Sequence, residues 1–181
     1  MFARTKRLTL RPGWPEDAAA LAQAIAHERV ATMLARVPWP YSVADAKAFL
    51  SVPRGPHDPC FLIEAMDDGT PRIVGGIELL PNGHSHELGY WLTPDVWGRG
   101  YATEAGHAVL GIARHALGLR KVVSAHALDN AASARVLRKL GFREVGRAAR
   151  YNVARGRDMA CALLECALDD DDDRAPMQIA A

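Results

Sequence analysis

The stretch VWGRGYATEA, residues 96–105, sets two glycines and an alanine at the entrance to a helix with no Ser, Asp or Asn in front to cap it. Gly98, Gly100 and Ala102 alternate with the large Arg99 and Tyr101. From Thr103 onward, Ala105, Ala108, Val109, Ile112, Ala116 and Leu117 recur on one helical face. The N–H groups of that first turn have no acceptor inside the helix, and the sequence offers little side chain to satisfy them. Two explanations fit. Bare amides at a helix start, helped by the helix dipole, cradle an anion such as phosphate, and Arg99 adds a charge-assisted contact. Otherwise the glycines serve only the positive φ of a tight turn. A dinucleotide fingerprint does not fit, because Ala102 leads to Thr103 without a third glycine, and no Gly-Lys-Ser/Thr of a P-loop is present.

Outward from this loop, HELGYWL (86–92) precedes it as a strand, and KVVSAHAL (121–128) follows the helix as another. CFLIEA (60–65) and RIVGGIELL (72–80) are also strand-like, and the turn residues of DDGTP and PNGHS join 60–92 into an antiparallel meander. RLTLR (7–11) alternates as a first strand ended by Pro12. AALAQAIAHERVATML (19–34) reads as one helix, with Pro15, Glu16 and Asp17 suited to its start. PWPY breaks the chain, and S-V-A-D from Ser42 is a capping-box-like start with Asp45 for a helix through Leu50. NAASARVLRKLG (130–141) is a third helical run, followed by strands near 142–150 and 157–168. The order predicts an α/β (α+β) domain over residues 1–168, a mixed and mostly antiparallel sheet flanked by helices.

The 181 residues are 49% hydrophobic and 24% charged, an ordinary globular composition for a single domain. No apolar run approaches the length of a membrane helix, and MFARTKRLTL lacks the apolar segment of a signal peptide. Cys60, Cys161 and Cys166 have apolar neighbours and no zinc-like spacing, so they read as buried free thiols in a reducing cytoplasm. The net charge of +1 conceals an acidic tail, Asp169 to Asp173. Without that tail's five aspartates and Arg174, the body holds 21 basic and 16 acidic side chains. An excess of positive charge suits a polyphosphate partner, while no long basic cluster suggests nucleic acid. Residues 169–181 read as a solvated, disordered tail.

A second motif, DNAASARVLRKLGF (129–142), follows one helix and one strand after the glycine loop. Alone it is an N-capped amphipathic helix closed by Gly141. Paired with W-G-R-G-Y-A-T-E-A, it resembles the GNAT superfamily of acyl-CoA-dependent N-acetyltransferases. The nearest branch is the RimJ/RimL-like group that acetylates N-terminal amines of ribosomal proteins. The opening R-T-K-R-L-T-L-R-P and the closing G-R-D-M-A-C-A-L-L are similar to that branch, so the likeness runs over residues 4–168.

The resemblance implies a GNAT fold with splayed central strands and acetyl-CoA as co-substrate, with no metal. Trp97, Gly98, Arg99, Gly100, Tyr101, Ala102 and Thr103 would bind the coenzyme A pyrophosphate through their backbone. Pantetheine would enter the gap between the two central strands against backbone near Trp91 and Leu92, with Asn130 hydrogen-bonding its arm. Family members transfer the acetyl group directly to a primary amine, of a protein N-terminus or a small molecule, without an acyl-enzyme. Many supply the acid from a tyrosine four residues before Gly-Phe. That position is Leu137 here, which leaves Ser133 as the substitute acid and as a second contact on the coenzyme. Glu87 and Glu78 are the candidate bases, and Asn152 stands near where some relatives carry a carboxylate. His84 and His86 would share a strand face, either serving as proton acceptor, but lack a third metal ligand. Trp14, Trp39 and Tyr41 would line the acceptor cleft. A homodimer through the end of the sheet accords with the family. The competing reading is a catalytically weak acyl-CoA-binding sensor.

Overall fold

The computed structural model describes residues 1–55, 58–67 and 69–168. The acidic tail, and Pro56 and His57 of the PRGPHDP loop, lie outside the described residues. Among the described residues, eight strands form one sheet in the order β1-β2-β3-β4-β5-β6-β8-β7. They are β1 (Ala3–Arg4), β2 (Leu8–Arg11), β3 (Cys60–Asp67), β4 (Thr70–Asn82), β5 (Ser85–Leu92), β6 (Lys121–Ala127), β7 (Arg143–Asn152) and β8 (Arg157–Ala167). The expected meander of β3, β4 and β5 is antiparallel throughout. Alternation carries Glu78 and Glu87 to one face of it and Leu79 and Leu88 to the other.

Helices cover both faces. On one, α4 (Tyr101–His115) and α5 (Ala131–Lys139) bury Val109, Ile112 and Leu137 against Leu10, Ile63, Ile77, Leu88 and Val122. On the other, α1 (Ala18–Ile25) and α3 (Val43–Ser51) pack Leu21, Ala22 and Ala46 on Leu62 and Ile73. Cover from both sides explains the unbroken buried run from Ile73 to Ile77 in β4. The capping box at Ser42 forms: its hydroxyl accepts from the Asp45 N–H, and the Asp45 carboxylate accepts from the Ser42 N–H.

The single helix expected over 19–34 is two. α1 ends at Ile25 and α2 spans Glu28–Ala31, with His27 extended between them. The apolar phase explains the break. After Leu21, Ala22 and Ile25, the next positions on the buried face would be Glu28 and Arg29, whereas the apolar pair is Val30 and Ala31. Interrupting the helix brings Val30 and Ala31 inward and leaves the two charges exposed.

The feature that positions the site is the parting of β5 and β6. These parallel strands pair only at His86↔Val122 and Glu87↔Val123. Ser124 Oγ donates to the Leu88 carbonyl at 2.9 Å, and beyond it the strands separate. On its other side β6 pairs with β8 along its whole length, from Lys121↔Ala167 to Ala127↔Cys161.

Candidate active site

The glycine loop follows β5 through a 3-10 turn at Pro94–Val96. Gly98 and Gly100 both take left-handed backbone, φ 79° and 80°, which other residues adopt at a cost of about 1–2 kcal/mol. Gly100 stands at the cap position of α4 with no side-chain cap. The first amide to close a helical turn is that of Glu104, onto the Gly100 carbonyl at 3.0 Å. The amides of Tyr101, Ala102 and Thr103 therefore have no acceptor within the helix.

Arg7 braces this loop. Its Nη1 donates to the Arg99 carbonyl at 2.8 Å, its Nε donates to Glu104 Oε2 at 2.7 Å, and its guanidinium lies 4.8 Å from the centre of the Tyr101 ring. Glu104 also accepts from the Thr5 hydroxyl and the Arg7 amide. Burial opposes ionisation of Glu104, but those hydrogen bonds outweigh it and hold the carboxyl below the usual range. Trp97 turns its indole N–H onto the Leu92 carbonyl at 2.9 Å, so that carbonyl, expected at the open edge, is occupied. Since Leu88 presents its carbonyl toward β6, strand alternation directs the Tyr90 backbone into the gap in its place. Arg29 of α2 stacks 5.0 Å from the Trp97 ring, linking the loop to the wall built by residues 30–37.

The expected coenzyme-binding residues except Arg99, together with Ser133, Glu78 and Glu87, line a single cavity of about 640 Å³. Asn130 caps α5 by accepting from the Ser133 N–H at 3.0 Å. The two candidate bases lie on the α1/α3 face but are held differently. Glu87 has both oxygens engaged, Oε1 by Arg150 at 2.5 Å and Oε2 by Asn82 at 2.9 Å. Glu78 meets Arg54 at 3.5 Å and the Cys60 thiol at 3.6 Å. Burial, then the charge of Glu78, pushes the Cys60 thiol up to about 12, and burial raises that of Cys161. Both stay protonated at neutral pH and are poor nucleophiles.

Several expectations are corrected. Gly83 and His84 form the hairpin turn, so His84 leaves the strand and does not share a face with His86. His86 instead lies 3.8 Å from Asp58. Trp14 is outside the cavity, stacked on Arg11 at 4.4 Å, because Arg11 is drawn there by Asp17 and Glu64. Trp39 is exposed and also outside it, whereas Tyr41 lines it. Asn152 is fully buried and structural. Its amide donates to the Thr32 and Leu34 carbonyls at 3.2 and 3.0 Å, and its oxygen accepts from the Arg155 N–H at 2.7 Å.

Two cavity residues escaped the sequence reading. His126 directs Nδ1 at the Ala127 carbonyl, 2.8 Å away; a carbonyl only accepts, so Nδ1 carries a proton. Tyr90 places its hydroxyl 2.7 Å from Ser133 Oγ. Both sit in apolar strand runs, where a histidine or tyrosine looks like packing, and only the splay exposes them.

A family model described as Acetyltransferase (GNAT) domain matches residues 7–143. A Bacillus subtilis (strain 168) protein, the uncharacterized N-acetyltransferase YnaD, is 28% identical over 108 residues, covering 59% of this chain and 62% of that relative. The chain thus spans less than two thirds of that relative's length. The structure of ribosomal-protein-S5-alanine acetyltransferase from Vibrio fischeri superposes with a TM-score of 0.78 at 20% identity, covering 94% of this chain and 98% of that one. Mycobacterium smegmatis RimJ in complex with CoA-disulfide gives 0.75 at 25% identity, with coverage of 88% and 81%. The splayed strands, the uncapped glycine loop and a family match over most of its length place this chain in the GNAT acetyltransferase family.

Proposed function

We propose that this chain moves an acetyl group from acetyl-CoA directly to a primary amine, on a protein N-terminus or a small molecule. The observation that carries the reading is the gap after Glu87 and Val123, which joins the uncapped start of α4 to a cavity holding carboxylates on one side and hydroxyls on the other. Backbone N–H groups from Gly98 to Thr103 hold the pyrophosphate. The pantetheine arm lies between β5 and β6, beside Asn130. Glu78 takes the proton of the acceptor amine, since both oxygens of Glu87 are committed to Arg150 and Asn82. Ser133, across the gap, offers its hydroxyl to the departing thiolate.

Thiol release from acetyl-CoA, measured across a panel of amines and N-terminal peptides, tests this. The unaltered protein is expected to turn over, and Glu78→Gln to lose roughly 10²-fold in kcat/KM with coenzyme A affinity kept. An undiminished Glu78→Gln enzyme would remove Glu78 from the role of base. The apolar, fully buried Leu137 favours a second reading, an acyl-CoA sensor of low activity, which predicts binding without thiol release. Arg7→Ala is expected to weaken coenzyme A binding by about tenfold, equivalent to about 1.4 kcal/mol, with little change in melting temperature. Unchanged affinity in calorimetry would show that the loop keeps its shape without this brace.

A further inference from the structure

Leu137 occupies the position from which many family members present an acidic tyrosine, and its side chain is sealed in the core with no access to the cavity. A phenol nevertheless reaches the first turn of α5 from a different element. Tyr90, on β5 just beyond the last residues that pair with β6, lies on the face covered by α4 and α5. Its Oη is 2.7 Å from Ser133 Oγ and 3.3 Å from the Ser133 carbonyl. The helix end fixes this contact from the other side, because Asn130 holds the Ser133 amide at 3.0 Å. Both residues line the cavity where the strands part.

Two hydroxyls at 2.7 Å share one proton between them and keep a second to offer elsewhere. When the phenol donates to Ser133 Oγ, the serine O–H is left to donate to another acceptor. Burial pushes the Tyr90 phenol up to about 12, against a smaller opposing effect of the Ser133 hydrogen bond, so it is protonated at neutral pH. The pair thus keeps one hydroxyl proton to donate into the cavity that both residues line.

We propose that Tyr90 is the positioning residue for the acid step, orienting Ser133 and replacing the proton that Ser133 gives away. This rests on the acetyl-transfer reading above. As the carbon–sulfur bond breaks, the Ser133 hydroxyl proton passes to the sulfur, giving the free thiol of coenzyme A. The Tyr90 proton moves to Ser133 Oγ along the 2.7 Å contact. The phenolate recovers a proton from water after the products leave, matching the one shed by the amine, so no other reactant is needed. The function that relatives carry on α5 is supplied here from β5, through a serine one turn before the vacated position.

The test compares Tyr90→Phe, Ser133→Ala and the double variant in thiol release with a turned-over amine, alongside calorimetry with coenzyme A. Tyr90→Phe is expected to lower kcat by roughly 10- to 100-fold with the dissociation constant for coenzyme A within about twofold. The double variant is expected to be no slower than Ser133→Ala, since the tyrosine acts only through the serine. A proton inventory in mixed light and heavy water separates this from a packing role: two protons in flight in the unaltered enzyme, one in Tyr90→Phe. Unchanged kcat in Tyr90→Phe, an unchanged inventory, or losses that multiply in the double variant would each overturn the proposal. Absence of thiol release by the unaltered protein, with coenzyme A still bound, would instead overturn the acetyl-transfer reading and this step with it.

Discussion

Gly100→Trp is expected to abolish coenzyme A binding in calorimetry while leaving a folded protein. Gly100 is exposed at the head of α4 with φ 80°, so the fold demands no side chain there, but the loop demands that backbone geometry. A tryptophan in the left-handed region costs about 1–2 kcal/mol, and rotating out of it turns the Tyr101–Thr103 amides away from the phosphate position. The added side chain also meets Arg7, whose Nη2 stands 3.5 Å from where a Cβ would begin. Displacing that guanidinium releases both the Arg99 carbonyl and Glu104. Gly100→Ala keeps the strain with less bulk and is expected to lose affinity less. Circular dichroism and melting establish that either variant folds. Full affinity in folded Gly100→Trp would refute the phosphate assignment.

The second large effect concerns Asn152, at the position near which some relatives carry a carboxylate. Asn152→Asp is expected to lower stability by about 3 kcal/mol or more and to leave kcat without gain. The side chain is fully buried and faces two carbonyl oxygens, those of Thr32 and Leu34. An amide NH₂ satisfies both; a carboxylate supplies no donor and adds a charge in their place. For a chain of this length the melting temperature should fall by roughly 6–12 °C. A rise in kcat with unchanged melting would show that the position is catalytic after all.

Much of this architecture was legible because period and punctuation agree. HELGYWL and KVVSAHAL alternate, the helix after the glycine loop repeats at 3.6, and Ser42 to Asp45 encode a helix start in four residues. The α1–α2 break was written in the sequence as well, as Val30 and Ala31 falling out of phase with Leu21 and Ile25, but residue type alone read the alanine-rich run as continuous. The site was less legible than the fold. The glycine loop announces itself through missing side chains, and Asn130 through its cap. Glu87 and Glu78 alternate with apolar neighbours in the same way, and only cross-strand partners distinguish the carboxylate bound by Arg150 and Asn82 from the less encumbered one. Tyr90 and His126 depend on two strands diverging, and no local pattern encodes that divergence. Trp14 and Asn152 went astray for the opposite reason: an aromatic and an amide at suggestive positions serve Arg11 and the 32–35 wall.

The grip of Arg7 on the Arg99 carbonyl joins points 92 residues apart in sequence. The glycine loop is therefore not a self-sufficient motif: during synthesis, the amino-terminal strand emerges long before the segment it must clasp, and the loop acquires its final shape only when the two ends of that span meet. A purification tag crowding the start of the chain, or trimming past Arg7, should register as weakened nucleotide affinity even though neither alters a residue of the loop itself.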